Sequence, residues 1–388
     1  MDITLSPRSL RGQITVIPSK SQAHRLLICA AFADAPTQLI CPDTNADIDA
    51  TADCLRALGI GILRTETGYT VIPNKNHPDT ALLPCRESGS TLRFMLPVVG
   101  ALGIDATFRM EGRLPKRPLS PLWEEMERMG CTLTRPTEST LRCTGKLKSG
   151  EYTMDGGVSS QFITGLFFAH ALLGGCSLTI TGTLESKPYV DMTREALQIF
   201  DAPRFHSPGQ LIVEGDWSNG AFWLAANALG GFLDVHGLNT HSLQGDRAVV
   251  DILQQLEAGT PVVSAADIPD LVPILAVCAA AKKGCTFANI RRLRLKESDR
   301  VASVIAMLEA LGGKAEADEN TLTVYGTGLK GGTVDSANDH RIAMATAIAA
   351  TVCPDQVTLL GAEAVNKSYP HFWEEYIRLG GNYELYLR

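Results

Sequence analysis

Six short stretches of this chain place hydroxyls, amides and cations just ahead of apolar, helix-like segments, a setting suited to binding small anions. The first, Ser19-Lys20-Ser21-Gln22-Ala23-His24-Arg25, offers a point charge at Lys20, a hydroxyl at Ser21 and a guanidinium fork at Arg25. The second runs from Glu87 to Arg93 around Gly89, where a missing side chain lets a ligand approach the backbone; Arg117 follows within Arg113-Leu114-Pro115-Lys116-Arg117-Pro118. The third holds Ser159, Ser160 and Gln161, with Ser186 and Tyr189 downstream. The fourth ends at Ser218-Asn219, and the fifth puts Asp270 after Ile268-Pro269. Beyond it lies the most charge-dense run of the chain, 291–300, with Arg292, Lys296, Glu297 and Arg300. The sixth is Asn338-Asp339-His340-Arg341, and Lys367 stands alone near the C-terminus.

Such residues bind phosphate or carboxylate groups, and acids set among them, Asp270 and Glu297, are suited to moving protons. Each stretch taken singly also fits a plainer reading: a capped helix start, a tight turn or a solvated basic loop. The i, i+4 spacing of Lys296 and Arg300 lets both face one way if 291–300 is helical.

The elements that must position these residues repeat. With Ser21, Ser90, Ser160, Asn219, Pro269 and His340 as anchors, successive steps are about 69, 70, 59, 50 and 71 residues. About 70 residues accommodate a βαβ crossover with a further helix and strand. Residues 23–32, 162–173 and 342–350 read as buried helices, and 178–181 and 321–325 as strands. A helix start carries free N–H groups and the positive end of its dipole, so equivalent starts form a common cradle for anions. The two short steps point to shortened hairpins near 202–207 and 256–261, or to residues missing there.

At 388 residues, 45% hydrophobic and 20% charged, the chain suits two globular domains, with 35 glycines and 20 prolines supplying turns. No apolar run reaches the length of a membrane helix, and residues 1–4 do not read as the start of a secretory signal. A net charge of −7 disfavours nucleic acid as a partner, so anions must be held by local basic clusters. Ten scattered cysteines without a CxxC pair read as reduced thiols of a cytoplasmic protein. Eight histidines without HxxxH or HExxH spacing give no metal site.

In chain order the motifs are SKSxxxR at 19–25, GST at 89–91, RP at 117–118, SSQF at 159–162, SKPY at 186–189 and QGD at 244–246. IPD at 268–270, KESDR at 296–300, DHR at 339–341 and KSYP at 367–370 complete the set. Together they resemble the enolpyruvylshikimate-phosphate synthase family over nearly the whole chain. That resemblance implies a two-domain inside-out α/β barrel of six βαβαββ units, three per domain. One domain would comprise 1–14 and 215–388, the other 15–214, with crossings near 13–18 and 211–216.

The implied substrates are phosphoenolpyruvate and shikimate 3-phosphate, handled by a monomer without a cofactor or metal. Lys20, Ser21, Arg25, Ser159, Ser160, Gln161, Ser186, Tyr189, Asp270, Arg292 and Lys296 would face shikimate 3-phosphate. Lys20, Gly89, Arg117, Gln161, Arg300, His340, Arg341 and Lys367 would face phosphoenolpyruvate. Asp270, Glu297, Lys20 and Lys367 would carry the catalysis. The two substrates together bear about −5 to −6 charges near neutral pH, which these cations balance. Glu87 departs from the Asn of many members. The nearest alternative, an enolpyruvyl transferase acting on UDP-N-acetylglucosamine, usually carries a cysteine in the loop corresponding to 111–116, where this chain has none. A non-catalytic anion-binding protein on the same fold is the other alternative; it should have lost Asp270, Glu297 or Lys367, and all three remain.

Overall fold

All six anchors lie at or beside helix starts, because five of those starts carry a residue whose side chain satisfies an otherwise free N–H. In the computed structural model, which describes residues 1–386, Ser19 caps the helix Lys20–Ala31, Ser88 caps Gly89–Leu102 and Ser159 caps Ser160–Leu173. Asp216 caps Trp217–Ala228 and Asp339 caps His340–Ala349. Only Val272–Ala281 lacks a side-chain cap, and Pro273 in its first turn needs no hydrogen-bond partner there. Asp270 precedes this helix by two residues. The helices Val272–Ala281 and His340–Ala349 are buried on almost every side, which explains apolar sequences without an amphipathic period.

The chain forms two compact units, Pro18–Glu214 and the combination of Met1–Ile17 with the residues from Gly215 onward. The first boundary falls after Ile17, three residues later than the sequence reading at 14/15. The cause is pairing: Ile14 and Thr15 lie beside Val235 and His236 in a parallel ladder.

Four sheets share one strand plan. In Pro18–Glu214, Thr80–Arg86 runs parallel to Asp105–Met110, which pairs antiparallel with Thr140–Gly145 and then Cys131–Thr137. Gln210–Ile212, Thr37–Ile40, Gly68–Ile72 and Gly61–Thr65 repeat that order. In the other unit the order recurs as Val262–Ser264, Gly284–Ala288, Thr321–Tyr325 and Lys314–Ala317. It recurs again as Gly332–Asp335, Val357–Leu360, Ile3–Ser6 and Asn382–Leu385. Two repeats borrow their first strand. Gln210–Ile212 opens the sheet around the Lys20 helix, and Arg11–Thr15 pairs with Phe232–His236 beside the Trp217 helix.

The two remaining sheets contain only two strands each, Glu151–Asp155 with Ser177–Thr181 and Arg11–Thr15 with Phe232–His236. These repeats lack the hairpin that closes the other four. After the helix Lys187–Ile199 the chain passes directly to Gln210–Ile212, and after Val249–Ala258 it reaches Val262–Ser264 in a short turn. The short steps in the sequence are thus missing hairpins. Each unit has its own continuous apolar core, and nine of the ten cysteines are buried within these cores.

Candidate active site

Within Pro18–Glu214, the helix starts bring the first three stretches together. Lys20 opens its helix and pairs with Asp47 at 2.9 Å, holding its ammonium beside the start of the neighbouring helix Ala46–Ala57. Arg25, one turn on, is buried and committed to protein oxygens. Its Nη1 donates to Ser21 O at 2.6 Å, its Nη2 to Tyr189 O at 2.7 Å, and its Nε to Thr193 Oγ1 at 2.9 Å. These bonds tie the Lys20 helix to the helix that begins beside Ser186. Ser186 is buried in a left-handed conformation (φ 55°), a strained geometry for a serine.

Gln161 connects the second and third stretches: its Oε1 accepts from Arg93 Nη1 at 2.7 Å and its Nε2 donates to Ser90 Oγ at 2.9 Å. Arg117 reaches the same place. A Cβ built on Gly89 would stand 2.6 Å from Arg117 Nη1 and 2.8 Å from Arg93 Nη1, so the glycine is what allows two guanidinium groups to meet the helix start. Beneath them runs a buried chain of polar contacts. His24 Nδ1 and Thr51 Oγ1 are 2.7 Å apart, Thr51 Oγ1 and Thr91 Oγ1 are 2.7 Å apart, and Thr91 Oγ1 donates to Ser88 Oγ at 2.8 Å. Burial depresses the His24 imidazole to about 3, so it is neutral at any physiological pH.

In the other unit the charged residues form one network around Arg300, which is 1% exposed. Its Nη1 lies 2.7 Å from Asp270 Oδ1, its Nη2 2.7 Å from Glu297 Oε2, and its Nε 3.0 Å from Asp339 Oδ2. Lys296 Nζ stands 3.2 Å from Asp270 Oδ1, and Arg341 Nη2 3.6 Å from Asp270 Oδ2. Asp270 thus faces three cations. His340 is buried beside Arg341, while Lys367 Nζ donates to Asn338 O at 2.8 Å in the turn before their helix.

Burial lowers the Lys296 ammonium, with Asp270 opposing and Arg300 and Arg292 reinforcing the shift. That places Arg292 among the charges acting on Lys296. Asp246 is wholly buried, accepts from Ser218 Oγ, and is pushed up to about 7 by burial and by the charge of Asp270.

The stretch 291–300 is not one helix. A 3₁₀ turn spans Arg291–Leu295, Lys296 follows in extended backbone, and Asp299 caps a new helix from Arg300. Lys296 and Arg300 still converge, through Asp270 and not through a shared helical face. Sequence reasoning passed over Asp47, Arg93 and Asp246. Arg93 lay four residues after Gly89 and Asp246 inside the QGD motif, so spacing carried a signal for both; Asp47 lay in an acidic stretch without a distinguishing pattern.

The fold belongs to a class already seen in solved structures. The EPSP synthase from Acinetobacter baumannii superposes with a TM-score of 0.78 over 99% of both chains at 22% identity. The enolpyruvyl transferase NikO from Streptomyces tendae gives 0.74 over 99% of this chain and 98% of its own at 18% identity. Sequence goes further. The profile of the family described as EPSP synthase (3-phosphoshikimate 1-carboxyvinyltransferase) matches residues 5–376. A 3-phosphoshikimate 1-carboxyvinyltransferase of Clostridium kluyveri is 38% identical over 416 aligned positions, covering 98% of this chain and 97% of the relative. That of Clostridium beijerinckii is 36% identical, covering 99% and 98%. The chain belongs to the EPSP synthase family. Alignments longer than the chain itself mean that these relatives carry segments this one lacks, as two absent hairpins require.

Proposed function

We propose that this enzyme transfers the enolpyruvyl group of phosphoenolpyruvate to the 5-hydroxyl of shikimate 3-phosphate and releases inorganic phosphate, a step of aromatic amino acid biosynthesis. The observation that carries the reading is the family match from 5 to 376, which spans every charged cluster described above. The 5-hydroxyl loses its proton as its oxygen bonds to carbon 2 of phosphoenolpyruvate, while the methylene carbon gains a proton. The tetrahedral adduct then loses a proton from that carbon and expels phosphate.

Asp270 is the proposed base at the hydroxyl, and Glu297 and Lys367 serve the carbon end. Positioned groups of this kind contribute about 10²–10⁴-fold each. Lys20, Ser21, Arg25, Ser159, Ser160, Gln161, Ser186, Tyr189, Arg292 and Lys296 are assigned to shikimate 3-phosphate. Gly89, Arg117, Arg300, His340 and Arg341 are assigned to phosphoenolpyruvate, with Lys20, Gln161 and Lys367 shared in that task. The same reading makes the protein a cytoplasmic monomer of inside-out barrel architecture, acting without a cofactor. Phosphate release that depends on both substrates together is the expected result; release from phosphoenolpyruvate alone, or none, would overturn the assignment.

The contacts at Gly89 give a second expectation. A methyl group there displaces the Arg117 and Arg93 guanidinium ends and narrows the space beside them. Glyphosate, a phosphonate slightly longer than phosphoenolpyruvate, should compete with that substrate. In Gly89→Ala its inhibition constant should rise more than the KM for phosphoenolpyruvate. Equal shifts in the two constants would contradict the steric argument.

A further inference from the structure

The start of the Trp217 helix supplies a side chain that the reaction scheme leaves unused. Asp216 Oδ1 accepts from the Asn219 backbone N–H at 2.8 Å, which fixes Asn219 in the first turn. The Asn219 side chain is wholly buried. Its Oδ1 accepts from Ser368 Oγ at 3.1 Å and, at the long limit of 3.5 Å, from Arg341 Nη1. Arg341 Nη1 also donates to Ser218 O at 2.8 Å. Ser368 directly follows Lys367. One amide oxygen therefore joins the Trp217 helix, the Arg341 guanidinium and the turn that carries Lys367.

The same two side chains hold buried donors that make no hydrogen bond among the described residues: Asn219 Nδ2, Arg341 Nε and Arg341 Nη2, the last having only its 3.6 Å ion pair with Asp270. Buried donors left unmatched are costly and rare, and three on two touching side chains suit the oxygens of an anionic ligand. We infer that Asn219 is a positioning residue for the phosphoenolpyruvate half of the site. Its Oδ1 sets the Arg341 guanidinium and the Lys367 turn in register, so that both cations meet one small anion. The inference rests on the functional reading above.

Steady-state kinetics of the full chain with each substrate varied, alongside thermal midpoints, test it. Asn219→Ala should raise the KM for phosphoenolpyruvate about tenfold or more, with the KM for shikimate 3-phosphate within about twofold. Asn219→Asp keeps the shape and the acceptor but captures the guanidinium as an ion pair, so its KM for phosphoenolpyruvate should rise further. A merely structural role predicts the opposite order, with Asp near the parent and Ala lowering only the midpoint. Folded variants with unchanged KM values, or with both KM values rising together, would overturn the inference. If Asn219→Ala does not fold, Ser368→Ala decides: it frees the amide to swing from Arg341 and should raise the phosphoenolpyruvate KM selectively. If the unaltered chain turned over no substrate, the functional reading would fail first. Calorimetric binding of phosphoenolpyruvate to the same chains would then decide the inference.

Discussion

Asp270→Ala should cut turnover by about 10²-fold or more while leaving shikimate 3-phosphate affinity within about tenfold. The geometry separates these two effects. Asp270 lies against Lys296, Arg300 and Arg341, and it is the carboxylate those three cations share. Removing it leaves the cations in place, and Arg300 keeps Asp339 and Glu297 as partners. An anionic ligand then meets more net positive charge, so binding does not collapse. What is lost is the proposed acceptor for the hydroxyl proton. Single-turnover phosphate release and equilibrium binding of shikimate 3-phosphate measure the two quantities separately. Near-normal turnover with weakened binding would make Asp270 a ligand only.

The largest effect on stability is expected at Arg300. Three carboxylates point at a guanidinium that is 1% exposed, and Asp339 among them is not exposed at all. Arg300→Met fills much of the volume but leaves those charges facing one another, with Asp339 sealed from water. Breaking a buried ion pair from one side costs about 3–5 kcal/mol. Ser298 Oγ and the Arg341 backbone N–H still donate to Asp339, which keeps the loss within that range. Urea unfolding followed by tryptophan fluorescence suits the measurement. Trp217, Trp223 and Trp373 share the unit that holds Arg300, and only Trp123 lies in the other. Adding Asp339→Asn should recover part of the loss. A double variant no more stable than Arg300→Met would show that the charge imbalance is not the cause.

The local parts of this protein were legible in its sequence. A serine or aspartate ahead of an apolar run is a local helix cap, so five of the six helix starts emerged from residue type and spacing. The short steps also translated directly, since losing the two strands of a hairpin shortens a repeat. Long-range pairing left weaker traces. Nothing in the run 291–300 announces the break at Lys296, because Lys, Glu and Ser tolerate helix and turn alike. The role of Asp270 as a shared counterion for Lys296, Arg300 and Arg341 arises only when segments 26 and 30 residues away, and a third near Arg341, meet it. Arg93 reads as a stray charge in an apolar helix until Gln161 is placed beside it. Arg25 shows the reverse: its fork reads as a ligand group alone in the sequence, yet it also ties its helix to Tyr189 and Thr193.

Borrowed strands also set a timetable for synthesis. Ile3–Ser6 leaves the ribosome more than 350 residues ahead of both its neighbours, Val357–Leu360 and Asn382–Leu385. At about 5–20 residues per second the opening strand waits on the order of tens of seconds for a partner. Arg11–Thr15 waits for Phe232–His236, and the Lys20 repeat stays open until Gln210–Ile212 appears. Pro18–Glu214 holds all of its strands once residue 214 has emerged, so it can close while the rest is still being translated. The nascent N-terminal strands must meanwhile be kept from mispairing, and the polar exposed face of Arg11-Gly12-Gln13 lowers that risk.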